Sequence, residues 1–265
     1  MAAAHVRAVG QGPGVVCLHS NASTSGQWRA LGDRLAERFR VFAVDGYGAG
    51  KSPPWPTDCS MRLEREVALL EPVLEQAGAP LHLVGHSYGG AVALKAAFVH
   101  RQRVKSIVLY EPTVFHLLAA GQHPLTTPAR GIWQAASAAA DAAARADDHA
   151  AGEHFIDYWM GTGAWRAMPE GRRAAIAVAV RNVGAWRDVL FADTTPLADY
   201  AALDVPVLYL SGEASPESAQ AVTRLLVSTL PRVTHAPQRG IGHMGPITNP
   251  DRVNAEIDAF LQRQR

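Results

Sequence analysis

The sequence predicts an α/β fold, with a mostly parallel, twisted sheet, helices on both of its faces and a helical insertion. Short apolar segments alternate with helical patterns along most of the chain, which is typical of a parallel sheet. The pentapeptide Gly85–Gly89 joins one apolar segment to a helix of small residues. Residues 113–200 interrupt the alternation without a convincing strand. We therefore expect one core built from residues 1–112 and 201–265, with residues 113–200 forming a helical cap.

Length and composition exclude several classes of partner. A chain of 265 residues can bury roughly 75% of its unfolded surface, enough for a large core. Its 25 basic and 24 acidic residues give a formal net charge of +1, too little to attract nucleic acid or anionic lipid. The first residues lack a signal-peptide pattern, and no apolar run approaches the ~18 residues of a membrane span. We expect a cytoplasmic protein that acts on a small uncharged molecule, with no nucleic-acid or membrane partner. The sequence leaves the oligomeric state open.

The two cysteines also favour a cytoplasmic location. Cys17 lies in an apolar segment and Cys59 in a polar loop. Two cysteines supply neither a disulfide framework nor a metal site. We expect a reducing compartment, no metal and no cofactor.

The strands of the core follow one another along the chain. The first precedes a cluster of glycine and proline, and the second is wholly apolar, as in a strand buried on both faces. The predicted strands are Val6 to Val9, Val15 to Leu18, Val41 to Val44, Leu81 to Val84, Val104 to Tyr110, Val205 to Leu210 and a weak strand near Val233.

Between these strands, apolar residues repeat at helical spacing and predict the core helices. Trp28, Leu31 and Leu35 repeat at helical spacing in the first helix. Ser60 can cap the second, which ends before Gly78. The other predicted core helices are Gly90 to Val99, Glu217 to Leu230 and Asp251 to Leu261.

The insertion has a composition of its own. It holds four of the six tryptophans and an alanine-rich stretch from Ala135 to Ala146, which favours helices. Active sites gather at the carboxyl ends of parallel strands. We expect the insertion to cover that edge as a lid that excludes water and selects substrates.

Gly85–Gly89 reads Gly-His-Ser-Tyr-Gly and matches the pattern G-x-S-x-G. This pattern, between a strand and a helix, indicates a nucleophile elbow, whose central serine is held strained with its hydroxyl projecting from the sheet. The alternative is a glycine-rich connection with an ordinary surface serine. The strand-turn-helix context favours Ser87 as a nucleophile.

Together with this elbow, three further motifs resemble those of the α/β-hydrolase fold superfamily. Leu18–Asn21 stands where that superfamily has an H-G-x segment, and Asp45–Ser52 is similar to its D-x-x-G-x-G-x-S loop. Gly242–His243 precedes the last helix. The resemblance covers nearly the whole chain outside the insertion. It implies an α/β-hydrolase fold with a helical cap, and it is far more specific for the fold than for a substrate.

A serine nucleophile needs a base and donors for a developing oxyanion. His243 follows the nucleophile in chain order, as this fold requires, and is the expected base. The expected oxyanion donors are the backbone amides of Tyr88 and Asn21, with Ser20 replacing the glycine of the superfamily.

Other polar and aromatic residues lie near these motifs. We expect His19 and His86 to steady the loops, and Asp45 to bond backbone amides of its own turn. Some of a set of aromatic residues are expected to line the substrate pocket, which is usually apolar. These candidates are Trp28, Tyr47, Phe155 and Trp159.

The acid of the triad departs from the superfamily pattern. Most relatives place an aspartate in a G-x-x-D turn after the strand that starts near residue 205, where this chain has Ser215. Glu111 and Glu213 are the two nearby carboxylates. We prefer Glu111, because it ends an apolar strand beside the elbow strand, where a carboxylate is costly unless partnered. Glu213, or no acid at all, stays an alternative.

The predicted function is hydrolysis of a small, mostly apolar ester, lactone or related acyl compound through an acyl-enzyme. A serine at position 87 argues against dehalogenases and epoxide hydrolases of this fold, which use an aspartate. Hydrolysis of a carbon–carbon bond and acyl transfer use the same triad and stay open. A second class is a non-catalytic binding protein with the same fold.

Overall fold

The computed structural model describes residues 3–56, 61–119 and 125–265. Cys59 and Ser60, with the helix cap expected at Ser60, lie outside these ranges. Within them, no helix combines the length and apolar character needed to cross a bilayer.

The described residues form a seven-stranded, mostly parallel sheet, as predicted. Its order is β1-β3-β2-β4-β5-β6-β7, in which β1 alone runs antiparallel to its neighbour. The strands are β1 (Val6–Val9), β2 (Gly14–Leu18), β3 (Arg40–Val44), β4 (Leu81–His86), β5 (Val104–Tyr110), β6 (Val207–Gly212) and β7 (Val233–Gln238).

Helices cover both faces of this sheet. A 3-10 helix, Ser25–Trp28, precedes the first of them. The core helices are α1 (Arg29–Leu35), α2 (Leu63–Ala77), α3 (Tyr88–Val99), α11 (Glu217–Thr229), α12 (Gly245–Thr248) and α13 (Pro250–Arg263), and those of the insertion are α4 (His116–Ala119), α5 (Thr127–Ala144), α6 (Asp148–Met160), α7 (Ala164–Ala167), α8 (Glu170–Val180), α9 (Val183–Ala192) and α10 (Leu197–Ala201).

The alternation of β2 separates the core into two layers. Val16 and Leu18 belong to a cluster that contains residues of α2, α3 and the insertion. Val15 and Cys17 point to the opposite face and pack with residues of α1 and α13. Each apolar residue of β2 is therefore buried beneath helices, whichever face it points to.

The topology brings the carboxyl ends of the central strands together. The chain passes from β2 to β3 on one side and later enters β4 on the other side of β2, so the direction of strand addition reverses there. Such reversals leave a crevice beyond the strand ends. Asn21 follows β2, Ser87 follows β4 and Glu111 follows β5, so all three lie at this crevice.

Between β5 and β6, the regular elements of the described residues are all helices, and a buried lysine joins this segment to α2 and α3. Lys95 of α3 donates to Asp193 Oδ1 at 2.8 Å and to Thr195 Oγ1 at 2.6 Å, both in the loop between α9 and α10. It also donates to Glu64 Oε1 of α2 at 3.1 Å. Lys95 and Thr195 are buried, and the side chain of Asp193 is 5% exposed. We call this group the Lys95 cluster.

Candidate active site

Ser87 occupies a sharp turn between β4 and α3. Its backbone has φ 55° and ψ −118°, a conformation that a residue other than glycine adopts only where the surroundings impose it. Those surroundings are tight, since a Cβ on Gly89 would overlap the carbonyl oxygens of Leu18 and His19. Gly85 is crowded in the same way by the backbone of Gly89. The two flanking glycines therefore allow the turn that presents the serine.

A continuous chain of hydrogen bonds joins Ser87, His243 and Glu111. The Ser87 Oγ lies 3.0 Å from His243 Nε2, and His243 Nδ1 lies 2.7 Å from Glu111 Oε2. All three residues are buried. Because a carboxylate only accepts, Nδ1 carries a proton and Nε2 is free to accept one from the serine. These residues come from three separate loops, after β4, β5 and β7.

The Glu111 carboxylate is held by several donors. Oε1 accepts from the backbone N–H of Gly212 at 2.7 Å, and Oε2 accepts from Ser215 Oγ at 2.9 Å. Glu111 itself has a positive φ of 43°. These hydrogen bonds fix the direction of the carboxylate. Ser215, which stands where most relatives have an aspartate, thus supports the carboxylate of the neighbouring strand.

Glu213, the other carboxylate considered, is exposed, and its backbone N–H donates to Gln238 at 3.2 Å. Its position one residue past β6 turns it outward. Glu111 is the carboxylate that contacts His243.

A polar network behind the site was not predicted from the sequence. Gln27 accepts from the N–H and the hydroxyl of Ser20 at 3.1 Å and donates to His86 Nδ1 at 3.1 Å. His86 Nε2 donates to the carbonyl of His243 at 2.8 Å. Burial lowers the pKa of His86 well below its usual value, so the ring stays neutral and keeps this donor and acceptor pattern. Gln27 therefore links the loop after β2 to the loop that carries His243.

The other residues expected to steady the loops do so. His19 Nδ1 donates to the carbonyl of Ser20 at 2.7 Å, and its Nε2 accepts from the N–H of Gly46 at 3.1 Å. The Asp45 carboxylate accepts from the backbone of Ser25 at 2.6 Å and of Lys51 at 3.1 Å. Both side chains hold backbone near the site in place.

The two candidate oxyanion donors lie beside Ser87. Tyr88 is the first residue of α3, and the first N–H groups of a helix have no acceptor within it. Asn21 lines the cavity that contains Ser87. The Gln27 bonds to Ser20 fix the segment before Asn21, where the superfamily has a glycine.

Two cavities open onto Ser87. The first, which we call the Ser87 cleft, has about 820 Å³ of empty space and is lined by His243 and Met244 and by residues of α6 and α8 that include Ile156 and Arg172. The second, the apolar pocket, has about 360 Å³ and is lined by Phe115, Ile132, Ala136, Val183, Leu190 and Phe191, among others. Both have room for an apolar substituent of a small substrate.

The four aromatic candidates for the substrate pocket separate into different environments. Phe155 and Trp159 line both cavities, and the Trp159 ring stacks on His243 with centroids 3.9 Å apart. Tyr47 lines a neighbouring cavity instead. Trp28 is corrected to a core residue, because it is 1% exposed and packs with Leu31 and other residues of the α1 and α13 layer. Its helical spacing with Leu31 and Leu35 is the spacing of a core face.

The neighbouring cavity, which we call the Glu66 cavity, has about 490 Å³ of empty space, and Tyr88 is among its lining residues. Glu66 of α2 lines it and is 2% exposed. Burial raises the pKa of this carboxyl from 4.5 to about 7, against the opposing effects of hydrogen bonds from the Tyr47 N–H and the Tyr88 hydroxyl. The charged form of Glu66 is therefore destabilised near neutral pH.

Glu66→Gln is expected to change the free energy of unfolding more favourably at pH 8 than at pH 4. The folded pKa of Glu66 lies above the unfolded value, so the wild type loses stability as the pH rises from about 4.5 through about 7. The glutamine does not titrate, and the difference in the free energy of unfolding should shift by about 3 kcal/mol in its favour over that interval. Denaturant titration at both pH values measures this shift. Glu75→Gln, an exposed position on the same helix, should show no such dependence; an equal difference at both pH values for Glu66→Gln would contradict the expectation.

Comparison with known proteins identifies the family of this chain. A model of the alpha/beta hydrolase family matches residues 15–256. Over 115 residues the chain is 33% identical to the pimeloyl-[acyl-carrier protein] methyl ester esterase of Nitrosomonas europaea. This match covers 43% of this chain and 42% of that protein. The matched segment thus spans about two fifths of that relative's length.

Solved structures match over a greater length at lower identity. A thermophilic esterase from Thermogutta terrifontis has a TM-score of 0.77 at 23% identity, with 98% of this chain and 93% of that chain covered. The enol-lactonase from Burkholderia xenovorans LB400 has a TM-score of 0.76 at 19% identity, with 98% and 96% covered. Both share the fold. Because the family model matches nearly the whole length of this chain, the chain belongs to the alpha/beta hydrolase family.

Proposed function

We propose that this protein is a serine hydrolase that cleaves a small, mostly apolar ester or lactone through an acyl-enzyme. The observation that carries the proposal is the hydrogen-bond chain from Ser87 Oγ through His243 to Glu111, with distances of 3.0 and 2.7 Å. In the proposal Ser87 is the nucleophile, His243 the base and Glu111 the acid. The esterase named among the relatives supports the reaction class.

Acylation follows from the protonation states of this chain. As Ser87 Oγ attacks the substrate carbonyl, His243 Nε2 takes the serine proton and becomes imidazolium. Glu111 stabilises that charge through Nδ1–H. When the tetrahedral intermediate collapses, the bond to the leaving alcohol breaks and His243 returns the proton to its oxygen. The products of this half are the free alcohol and an acyl ester on Ser87.

The same groups complete the reaction in reverse. A water molecule gives one proton to His243 Nε2 as its oxygen attacks the acyl carbonyl, and the proton returns to Ser87 as the carboxylic acid leaves. The backbone N–H groups of Tyr88 and Asn21 donate to the oxyanion in both halves. An alcohol in place of water would give acyl transfer from the same intermediate.

The cavities give a reason for expecting apolar substrates. Each lies against Ser87, so the two sides of an ester carbonyl can occupy the Ser87 cleft and the apolar pocket. The apolar pocket is lined mainly by aromatic and aliphatic side chains, which favour hydrocarbon. Insertion residues such as Trp159 and Phe155 form part of both walls, in the manner of a lid.

Burst kinetics with p-nitrophenyl esters test this proposal against a non-catalytic binding protein. The wild type should release a first turnover of p-nitrophenol equal to the enzyme concentration, followed by steady hydrolysis. Ser87→Ala should lose both phases, while Ser228→Ala, an exposed serine of α11, should keep them. A folded wild type that cleaves none of these esters would favour the binding protein.

The rate on such esters is expected to rise with pH between pH 5 and 8, because only a neutral imidazole accepts the serine proton. Steady-state kcat/KM measured across this pH range follows the rise. Glu66→Gln should keep this rise, because the Glu66 carboxyl, whose pKa burial raises to about 7, takes no part in the proton transfer from Ser87. A flat profile from pH 5 to 9 would exclude histidine as the base.

A further inference from the structure

The Glu66 cavity presents a buried carboxyl group with unused hydrogen-bonding capacity. Oε1 accepts from the Tyr88 hydroxyl at 3.2 Å, and Oε2 accepts from the Tyr47 N–H at 3.3 Å. Both distances are at the long end for hydrogen bonds, and both donors are neutral. A carboxylate has about four lone-pair sites, so two or so are left without a donor. An arrangement of this kind costs free energy unless another donor is supplied.

Among the described residues, no hydrogen bond to the Glu66 carboxylate is formed besides these two. His19 also lines it, but its Nδ1 proton is given to the carbonyl of Ser20 and its Nε2 accepts from Gly46. Burial lowers the pKa of His19, which keeps the ring neutral. Within the described ranges, no lysine or arginine forms an ion pair with Glu66, and the raised pKa of the carboxyl has burial as its main cause. No cation among the residues that the structure describes therefore balances the charge on Glu66.

The remaining wall of the cavity suits a hydrocarbon chain that ends in a donor. Apolar and aromatic side chains dominate it, from the core and from the insertion: Leu18, Val44, Leu70, Val92, Ala179 and Trp186. Tyr47 and Tyr88, which supply the two hydrogen bonds to Glu66, also line the cavity. Aromatic faces beside a carboxylate attract an ammonium group, and the same carboxylate accepts from a hydroxyl.

The cavity adjoins the site of the proposed reaction. Asn21 lines the Glu66 cavity, the Ser87 cleft and the apolar pocket, so the three spaces meet at this residue. Trp186 lines both the Glu66 cavity and the apolar pocket. Tyr88, which follows the nucleophile, is itself one of the two residues that hydrogen-bond Glu66.

We propose that the Glu66 cavity is a substrate subsite that takes a hydrogen-bond-donating end, a hydroxyl or an ammonium group, carried on an apolar chain. The inference rests on the proposed hydrolase function, since it describes one end of the substrate whose carbonyl is attacked by Ser87. Glu66 is then a specificity-determining residue, because donor-ended substrates satisfy its carboxylate and methyl-ended substrates leave it unpaired.

Matched esters test the subsite. We would measure kcat/KM for p-nitrophenyl esters of four-, six- and eight-carbon acids that end in a methyl, a hydroxyl or an ammonium group. The wild type should prefer a donor-ended ester over the methyl-ended ester of best length by at least about tenfold, a conservative loss for one unpaired buried group. The hydroxyl and ammonium series identify which donor the cavity takes.

Glu66→Gln separates recognition from support of Tyr88. Glutamine keeps an acceptor for the Tyr88 hydroxyl but has no charge, so it should lose at least about tenfold on the ammonium-ended ester and change little on the methyl-ended one. Glu75→Gln, exposed on the same helix, should match the wild type throughout. Equal kcat/KM for all three ends in the wild type, or an equal fall for all of them in Glu66→Gln, would overturn the subsite.

A binding measurement keeps this inference distinct from the proposed reaction. If no ester is cleaved, the hydrolase proposal fails, but calorimetric titration of hexylammonium and 1-hexanol still reports on the cavity. At least one of the two probes should bind the wild type and bind Glu66→Gln at least about tenfold more weakly. Binding of neither probe, or equal binding by both proteins, would contradict the subsite whatever the outcome with esters.

Discussion

Replacing Glu111 with glutamine is expected to lower kcat on an activated ester by about three to four orders of magnitude, the cost of the corresponding change in a serine protease triad. The physical reason lies in the amide. The oxygen of the introduced glutamine can still accept from the Gly212 N–H, which leaves its NH₂ group facing His243 Nδ1. Nδ1 must then accept, the proton moves to Nε2, and the ring no longer accepts the proton of Ser87. Steady-state kcat on a p-nitrophenyl ester measures the loss.

Glu213→Gln is the matched control, because Glu213 is exposed and lies one residue past β6. It should keep kcat close to that of the wild type. Both variants should keep the wild-type circular dichroism spectrum, since glutamine preserves the shape of the side chain. Activity of Glu111→Gln within about tenfold of the wild type, or a collapse in Glu213→Gln, would show that the acid was misassigned.

Lys95→Met is expected to lower the free energy of unfolding by about 3–5 kcal/mol, the cost of leaving a buried charge without its partner. Asp193 is 5% exposed and would lose its only cation in the Lys95 cluster. For a chain of this size the melting temperature should fall by about 10 °C. Lys51→Met, at an exposed lysine, should leave it unchanged.

The pH dependence and a second substitution test the same cluster. Burial raises the pKa of Asp193, but the hydrogen bond from Lys95 and its other contacts outweigh this and hold it below 3.8. A depressed pKa contributes stability above the unfolded value that is lost as the pH falls through the folded value. The loss in the free energy of unfolding caused by Lys95→Met should therefore become smaller below about pH 4. Lys95→Met with Asp193→Asn should recover much of the loss at pH 7; a double variant as unstable as the sum of the singles would refute the charge pairing.

The parts of the fold that follow from local patterns were predictable. Ser87 lies in a strand-turn-helix segment whose glycines and small residues are adjacent in the sequence, so one window of sequence contains the whole elbow. The preference for Glu111 over Glu213 needed one topological step, that β5 neighbours β4, which the order of the sheet contains. The structure brings Glu111 to His243, and its catalytic role stays a prediction.

The parts that depend on contacts between distant segments were not predictable. Gln27 meets His86 across 59 positions of the sequence, and no local pattern distinguishes it from a surface glutamine. Glu66 lies in the amphipathic helix α2 and Lys95 in the apolar helix α3. From sequence alone, a charged residue in such a helix is expected to face solvent, and only the packing of residues 113–200 shows otherwise. Trp28 was misassigned for the opposite reason, since an aromatic residue at helical spacing fits a core face and a pocket wall equally well.

The measurement that tests the central claim most directly is labelling with a fluorophosphonate, which forms a stable phosphonyl ester with an activated serine. Peptide mass spectrometry of the labelled protein should find one adduct, on Ser87, and Ser87→Ala should not be labelled. Glu111→Gln should react far more slowly, because the serine is no longer activated. An adduct on a different residue, or no labelling of the folded wild type at any pH from 6 to 9, would contradict the assignment of Ser87 as the nucleophile.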